Sequence, residues 1–347
     1  MRLITILFFI MTLELFSQSP KFSFSKTAIE VVANDSQNVI KVYKGTFKNS
    51  QEINNRKSII GNLSTKGDQI IFSPLLPFQV ETIYTVVFNN MYYEFSIPLE
   101  SNYKILNVEN LYPNSSEVPS NLLKWYVEFS KPVNPTNIYD HISLIDNRTQ
   151  KKVDRALLPL ETPLLSNDGK LLTLWVEPGR QKRELGPNKR LGKVLEIGES
   201  YTLIIDGNLK DAKGIPMKSD FRFTFKVSEA DRTQPNINNW KFDLPKPKTK
   251  DALIIHLNDN LDYGSLTHNL KIYDDENNHV EGVFTVDSNN KEVMFSPLNQ
   301  WKSKSYVLKC NKLIEDVAGN NLERLFDRDV QKESLSPTLE RIFSLQN

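Results

Sequence analysis

The sequence has very little of several residue types on which common sites and stabilising links depend. Its single cysteine, Cys310, excludes any disulfide within the chain, so stability has to come from packed cores. Glycine is scarce, with 13 residues in 347, and neither a Gly-x-Ser-x-Gly nucleophile motif nor a glycine-rich phosphate loop occurs. The four histidines lack the HxH or HExxH spacing of a zinc site. We therefore expect no catalytic residues, no metal site and no cofactor.

An excess of charge of one sign is also missing. The chain carries 43 Lys+Arg against 42 Asp+Glu, a formal net charge of +1. Such a balance gives no overall field that would attract nucleic acid or an acidic membrane. We expect no nucleic-acid partner, and any electrostatic function has to be local.

Long apolar runs are limited to the amino terminus, where one runs from Leu3 to Leu13 between Arg2 and Glu14. It is about half the length of ~20 residues that a membrane-spanning helix needs. A short apolar run after one positive residue is typical of a secretory signal. We predict a signal peptide over residues 1–18, no transmembrane segment in the mature chain, and an exported protein that is periplasmic, on the cell surface or extracellular.

What the sequence does contain is a repeat. Segments 69–88 and 292–310 each place an apolar strand before Ser-Pro and follow it with a strand led by tyrosine, and segments 171–178 and 200–205 have the same ends. The proline and the tyrosine are separated by 10 positions in the first repeat, 23 in the second and 9 in the third. The second repeat therefore carries an insertion between strands that the other two join directly.

The tyrosine-led strands alternate with a period of two, which places one set of side chains on a single buried face. Cys310 falls at the position that Ile205 holds in the second repeat. We interpret Cys310 as a small buried apolar residue rather than a reactive thiol.

Two repeats continue with Asp, two residues and Gly, as Asp211 to Gly214 and Asp316 to Gly319. An Asp can bond the backbone two residues later, and Gly accepts a positive φ, so both segments are predicted turns. Many short strands joined by regular turns, with a tyrosine starting a late strand, indicate an immunoglobulin-like sandwich.

The second repeat, Leu106 to Val227, resembles a known family. Its "FSKPVNP", "ESYTLII" and "LKDAKGIPM" before "FRFTFKV" are similar to the bacterial Ig-like domain of the surface-layer (SbsA) type. The third repeat keeps "DVAGNNL" but has "LNDN" in place of "FSKP", and the first lacks the Asp-Gly turn. The resemblance implies a β-sandwich of a kind that serves as a spacer, an adhesion module or an appendage to enzymes.

We therefore predict an all-β chain of three tandem immunoglobulin-like β-sandwich domains after the signal peptide. Their expected bounds are residues 19–100, residues 105–228 with a basic loop insertion at 179–198, and residues 235–347. The tail of the third domain, with Ile342, Phe343 and Leu345, is expected to return and pair with its sandwich.

The insertion is the main candidate for binding. It holds six basic residues, which are Arg180, Lys182, Arg183, Lys189, Arg190 and Lys193. Long loops on rigid scaffolds often bind ligands, and guanidinium groups suit carboxylates and phosphates. The functional hypothesis is contact with an anionic glycan, an envelope component or an acidic protein. The plainer interpretation is an extended hairpin that Leu185, Leu191, Val194, Leu195 and Ile197 pack onto the sandwich.

Other sites are weaker. Asp274 to Asn277 and the segment 256–262 could supply oxygen ligands to calcium, although they lack the glycine-bearing loop and more often form solvated turns. His256 is expected on the outer face of its strand. Trp125 is expected in a core, Trp175 is placed facing outward, and Trp240 and Trp301 lie near loops.

Three functions stay open at this point. The first is an exported, non-catalytic structural or adhesive module that recognises an anionic partner through the basic loop. The second is an accessory carbohydrate- or envelope-binding subunit. The third, least favoured, is an enzyme with a site between two domains, which would need carboxylates or histidines gathered in a cleft.

Overall fold

The computed structural model describes residues 20–32, 39–181, 186–287, 291–326 and 339–346. The predicted signal peptide lies outside these ranges. The chain divides into two compact units, one ending at Lys104 and one beginning at Ile105. In the described ranges the strands form six sheets, and no helix exceeds seven residues. The predicted fold class, all-β with immunoglobulin-like sandwiches, is confirmed.

The first unit is a sandwich of two antiparallel sheets. One sheet has the order β1-β2-β5-β4, the other has the order β3-β6-β7, and both contribute to one apolar core that includes Ile29, Phe72 and Val86. A single helical turn, α1, lies between β3 and β4. The elements are β1 Phe22–Phe24, β2 Ile29–Val32, β3 Lys41–Lys44, α1 Ser50–Ile53, β4 Gly61–Lys66, β5 Gln69–Pro74, β6 Ile83–Phe88 and β7 Met91–Ser96.

The second sandwich opens the second unit. Its sheets have the orders β13-β14-β10-β8 and β12-β11-β15-β16-β9, and every pairing is antiparallel except the parallel pair β16 and β9. Trp125, Val127 and Phe129 all face the core, as their alternation predicts. The elements are β8 Val108–Tyr112, β9 Glu117–Pro119, β10 Lys124–Phe129, β11 Ile142–Asp146, β12 Lys151–Lys152, β13 Leu164–Leu165, β14 Leu171–Trp175, α2 Pro178–Gln181, α3 Gly186–Leu191, β15 Ser200–Ile205 and β16 Phe221–Ser228.

The third sandwich pairs a sheet of order β17-β18-β21-β20 with one of order β19-β22-β23. Strand β23 is the returning tail, and it pairs antiparallel with β22, as the sequence predicts. Cys310 lies in this core beside Leu308, so the predicted structural position of the thiol is confirmed. The elements are β17 Lys241–Asp243, β18 Leu253–His256, α4 Tyr263–Asn269, β19 Leu270–Asp274, β20 Gly282–Val286, β21 Glu292–Pro297, β22 Ser305–Cys310 and β23 Glu340–Ser344.

The tyrosine that leads the late strand performs the same task in each sandwich. The Tyr84 hydroxyl accepts a hydrogen bond from the backbone N–H of Gln79 at 2.9 Å, and Tyr201 accepts one from Glu196 at 3.1 Å. Tyr306 accepts from the N–H of Lys302 at 2.8 Å. Each ring is buried while its hydroxyl fixes the chain a few residues upstream, which is the role of a tyrosine corner. The repeat seen in the sequence is therefore a repeat of local structure.

The two Asp-x-x-Gly segments are turns, as predicted. The Asp211 carboxylate accepts from the N–H groups of Lys213 and Ile215, each at 2.9 Å. Gly214 and Gly319 have φ values of +84° and +82°, which glycine adopts without steric cost. The second turn, around Asp316, also contacts the second sandwich at Leu123.

Candidate functional site

Where it is described, the basic loop that the sequence singles out begins with two short helices and continues without one over residues 192–198. It contains α2 and α3, so the interpretation as an extended hairpin is wrong. Val194 and Leu195 are buried as expected, but Leu191 and Ile197 are exposed, and Leu185 lies outside the described residues. Helix α2 is tied to the sandwich by Gln181, whose side chain donates to the Leu122 carbonyl at 2.9 Å.

Arg180 holds the loop together from inside. It is only 5% exposed, and its guanidinium donates to the carbonyls of Asp154 at 2.6 Å, Leu191 at 3.0 Å, Gly192 at 2.9 Å and Lys193 at 2.6 Å. These bonds use four of the five N–H donors of an arginine. Burial is the main cause of a lowered pKa at Arg180. The side chain therefore closes the loop on itself, and its geometry is that of a structural clamp.

The remaining predicted binding residues differ in position. Lys189 and Arg190 are exposed on α3, and Lys193 is half-buried at its end. Lys182 and Arg183 lie outside the described residues. The hypothesis of an anion-binding loop stays a prediction, and within the described part of the loop the cations facing solvent belong to α3 and Lys193.

The tryptophans do not form a flat exposed surface. Trp125, Trp240 and Trp301 are buried in the cores, so the placement of Trp240 and Trp301 near loops missed their burial. Trp175 is half-buried, and the Lys124 ammonium lies 5.0 Å from the centre of its ring. Three of the four tryptophans are buried and the fourth is half-buried. A stacking surface for sugar rings would therefore have to use other side chains.

The carboxylates considered for calcium already have partners. Asp274 accepts from Lys304 at 2.7 Å and from the N–H of Asn278 at 2.8 Å. Across the ranges that the structure covers, no three His, Cys, Asp or Glu side chains are grouped to hold a metal ion. His256 does face outward, between Asp243 and Glu292 at 2.8 and 2.9 Å.

A buried polar cluster that the sequence did not predict lies between the second and third sandwiches. Lys124 and Tyr126 project from the outer face of β10, yet each is only 8% exposed. They meet Asp262, which begins α4, and Glu315, which precedes the Asp-x-x-Gly turn of the third sandwich. We call these four residues the junction cluster.

Its geometry is close throughout. The Lys124 ammonium lies 2.5 Å from Glu315 Oε1 and 3.3 Å from Asp262 Oδ2. The Tyr126 hydroxyl lies 2.9 Å from Asp262 Oδ1 and 3.1 Å from Oδ2. The Ser265 N–H donates to Asp262 Oδ1 at 2.8 Å, which makes Asp262 the N-cap of α4. The Asp262 side chain is thus held by groups from both sandwiches.

Burial and charge act against each other in this cluster. Burial raises the pKa of Asp262, and the nearby Lys124 opposes that effect. Burial alone would lower the pKa of Lys124, but attraction to Asp262 and Glu315 outweighs it and raises the pKa. Burial also raises the pKa of Tyr126, so its hydroxyl stays protonated and donates. Each charge depends on its partners, because a buried charge without them is strongly unfavourable.

Backbone and ring contacts surround the cluster. The Leu123 N–H donates to the Val317 carbonyl at 2.9 Å, and the Val317 side chain belongs to the core of the second sandwich. Tyr112 and Tyr263 stack with ring centres 3.9 Å apart. Gly319 has no side chain to obstruct Leu123, since a Cβ there would lie 2.4 Å from Leu123 Cδ1. The two sandwiches are therefore joined by specific polar and apolar contacts.

The signal for this junction in the sequence is faint. Lys124 and Tyr126 occupy the outward positions of an amphipathic strand, where solvent exposure is the usual outcome. Their partners lie 136 and 191 residues further along the chain. Asp262 belongs to the segment considered for calcium, and the structure instead pairs it with a lysine.

Comparison with known proteins gives only distant likenesses. No family model and no curated protein matches the chain. The N-terminal part of the bacterial S-layer protein SbsC is 16% identical over 70% of this chain and 45% of that one, with a TM-score of 0.26. Native alpha-2-macroglobulin from Escherichia coli, spanning domains MG0-NIE-MG1, is 15% identical over 70% of this chain and 72% of that one, with a TM-score of 0.24. The chicken CNTN1 FN1-FN3 domains are 7% identical over 95% and 98%, with a TM-score of 0.22.

Likenesses with TM-scores of 0.22 to 0.26 support no argument about this chain. The class of protein is therefore set by its own sheets and cores, which are those of immunoglobulin-like sandwiches. As for membrane insertion, none of the helices in the described ranges combines the length and the apolar character that a crossing requires.

Proposed function

We propose that the protein is an exported, non-catalytic structural module in which the second and third sandwiches act as one mechanical unit. The observation that carries this proposal is the junction cluster, which buries Lys124 and Asp262 between the two sandwiches and places the half-buried Glu315 beside them. Export is inferred from the apolar amino terminus. The proposal of a non-catalytic role is supported by the sequence, which has no nucleophile motif and no metal-binding spacing.

Buried ion pairs are costly to form, and in some proteins they specify a single arrangement of parts. A flexible connection would need only a polar linker. The contacts of Lys124 and Tyr126 instead select a single orientation of the third sandwich on the second. That is the property expected of a spacer that transmits force or holds a binding surface in place.

The test of this proposal is Asp262→Ala in the full chain. Removing the carboxylate leaves the Lys124 ammonium buried beside one partner instead of two, and we expect a loss of about 3–5 kcal/mol in the free energy of unfolding. Chemical denaturation, followed by the fluorescence of the four tryptophans, measures the loss. Glu340→Ala is the matched control, because Glu340 pairs with Lys309 on the surface of the same unit, and its loss should stay below about 1 kcal/mol. Equal losses in the two variants would contradict the proposal.

A second candidate function is recognition of an anionic glycan by α3. The observation that favours it is the Arg180 clamp, which fixes the loop while Lys189 and Arg190 stay exposed. A cationic surface that is already fixed before binding loses less conformational freedom on binding than a mobile one. This candidate and the structural role are compatible in one protein.

The double variant Lys189→Gln/Arg190→Gln tests it. Binding to a sulfated or uronic-acid polysaccharide, measured by calorimetry at low and at physiological salt, should weaken at least tenfold in this variant. Lys151→Gln/Lys152→Gln is the control, because β12 also carries two adjacent exposed lysines on the same sandwich. A parallel loss in the control would indicate nonspecific attraction. No binding by the unaltered protein would remove the candidate.

A further inference from the structure

The junction cluster has the composition of an acyl-transfer centre as well as of a salt bridge. An amine that can act as a nucleophile, the Lys124 Nζ, lies 3.3 Å from an oxygen of the Asp262 carboxyl group. Reacting groups held this close and out of water have the benefit of a high effective concentration. The amine and the carboxyl group belong to different sandwiches, so a bond between them would join the two.

Both oxygens of the Asp262 carboxyl group lie within hydrogen-bond distance of the Tyr126 hydroxyl, and Oδ1 is the nearer one. Asp262 Oδ1 accepts from the Ser265 N–H at 2.8 Å and from the Tyr126 hydroxyl at 2.9 Å. Two preorganised donors on one oxygen form the arrangement that stabilises negative charge on a tetrahedral intermediate. Oδ2 lies on the side of Lys124 and is the oxygen that would leave as water.

A base is in contact with the amine. Glu315 Oε1 lies 2.5 Å from Lys124 Nζ, the closest of the cluster's distances. The Glu315 side chain is 27% exposed, so it can exchange protons with solvent, while Lys124 and Asp262 are almost fully buried. Its own backbone is fixed, because the Glu315 N–H donates to the Ser265 hydroxyl at 2.9 Å.

The two reacting side chains are largely buried, with Lys124 8% and Asp262 2% exposed. The Trp175 ring lies beside the ammonium, and the Tyr126 ring closes over α4. Gly264 allows this approach, since a Cβ at that position would lie 2.5 Å from the Tyr126 hydroxyl oxygen. A dry site favours condensation over hydrolysis and strengthens each electrostatic contact within it.

We propose that Lys124 and Asp262 condense spontaneously into an isopeptide bond that links the second and third sandwiches, with Glu315 as the proton-transfer group. This proposal rests on the geometry of the junction cluster and does not depend on the function proposed above. It assigns a covalent modification to two side chains that otherwise form an ion pair.

Glu315 moves the protons of the condensation. Glu315 takes a proton from the Lys124 ammonium, and the neutral amine attacks Cγ of the protonated Asp262 carboxyl group. The charge that develops on Oδ1 is held by Ser265 and Tyr126. Glu315 returns the proton to the Oδ2 hydroxyl, which leaves as water, and then takes the second proton from the nitrogen. The N–C bond forms, the C–O bond breaks, one water is released, and Glu315 passes its proton to solvent.

The attack needs a neutral carboxyl group at Asp262. Burial is the main influence on the Asp262 pKa and raises it, which is the direction that this step requires, while the raised pKa of Lys124 makes a proton acceptor beside the amine necessary. A carboxylate would repel the nucleophile and would not lose its oxygen. With Asp262 neutral, Lys124 and Glu315 remain as an ion pair that can exchange one proton.

Peptide mass spectrometry of the denatured full chain decides the question directly. We expect a branched peptide that contains both Lys124 and Asp262 and is lighter by one water than its two linear parts. Trypsin should also fail to cleave after Lys124, because an acylated lysine is not a substrate. Recovery of only linear peptides, with normal cleavage after Lys124, would overturn the proposal, and this result does not depend on whether any variant folds.

Two variants test the role of Glu315. Glu315→Gln keeps the shape of the side chain but removes the proton acceptor, and we expect at least a tenfold loss of the branched peptide after equal incubation. Glu323→Gln is the control, since Glu323 pairs with Lys312 on the surface nearby, and it should retain the branched peptide in full. Unchanged cross-linking in Glu315→Gln would overturn the assignment of Glu315 as the proton-transfer group.

Discussion

At the scale of single residues, two buried cations are stabilised in different ways. Arg180 donates to backbone carbonyls of its own loop and to that of Asp154. These hydrogen-bond partners are uncharged dipoles that do not titrate. Lys124 is surrounded by the acidic side chains of Asp262 and Glu315, which belong to another sandwich and are distant in the chain. Arg180 therefore determines local order in the second sandwich, whereas Lys124 determines how two sandwiches are joined.

Cys310 gives a residue-scale prediction. Burial in the third core raises the pKa of its thiol to about 12, and only the thiolate reacts readily with alkylating reagents. We expect iodoacetamide at pH 8 to leave Cys310 unmodified in the native protein and to modify it once the third sandwich is unfolded. Intact mass measured over time provides the rate in each state. Native modification as fast as that of the denatured chain would contradict the buried position.

At the scale of elements, the two Asp-x-x-Gly turns have the same conformation but different surroundings. A Cβ added at Gly214 would meet nothing within 4 Å, so the turn of the second sandwich faces open space. At Gly319 a Cβ would collide with Leu123 of the second sandwich. One turn only reverses the chain, while the other also forms part of the junction.

This difference predicts unequal effects of the same substitution. Gly214→Ala should cost about 1–2 kcal/mol of unfolding free energy, which is the cost of a left-handed conformation for a residue with a side chain. Gly319→Ala has that cost and adds the collision with Leu123, so we expect a loss larger by about 1–3 kcal/mol. Urea denaturation of the two variants makes the comparison. A Gly319→Ala loss no greater than that of Gly214→Ala would show that the turn does not press on Leu123.

The elements also show what sequence reasoning can and cannot find. The strands around Trp125, Tyr201 and Cys310 were predictable because a period of two determines which side chains are buried. The Asp-Gly turns were predictable because their hydrogen bonds are local. The burial of Lys124 was not, because it depends on Asp262 and Glu315, and contacts over such separations leave no periodic signal in one sequence.

The conformation of the basic loop was predicted in part, while its role in binding stays a prediction. The length and charge of the insertion correctly marked an unusual loop, but periodicity gave no indication of α2 and α3. The burial of Arg180 was also hidden, because a basic residue in a basic segment is most simply placed in solvent. Its carbonyl partners are backbone atoms, which have no signature in the sequence.

At the scale of the whole molecule, the described residues form three cores, and the second and third belong to one compact unit. Val317 illustrates the continuity, since it is part of the third repeat by sequence and part of the second core by packing. Sandwiches that share a packed interface should not open independently, because unfolding of either one would expose apolar contacts of the other, such as those of Val317 in the second core.

The most direct test of this account is hydrogen–deuterium exchange of the full chain in increasing urea, read separately for peptides from β10 and β15 and for peptides from β18 and β22. Both sets should lose protection at the same urea concentration, because the two sandwiches unfold as one cooperative unit. Loss of protection in the third sandwich while the second stays protected, or the reverse, would contradict it.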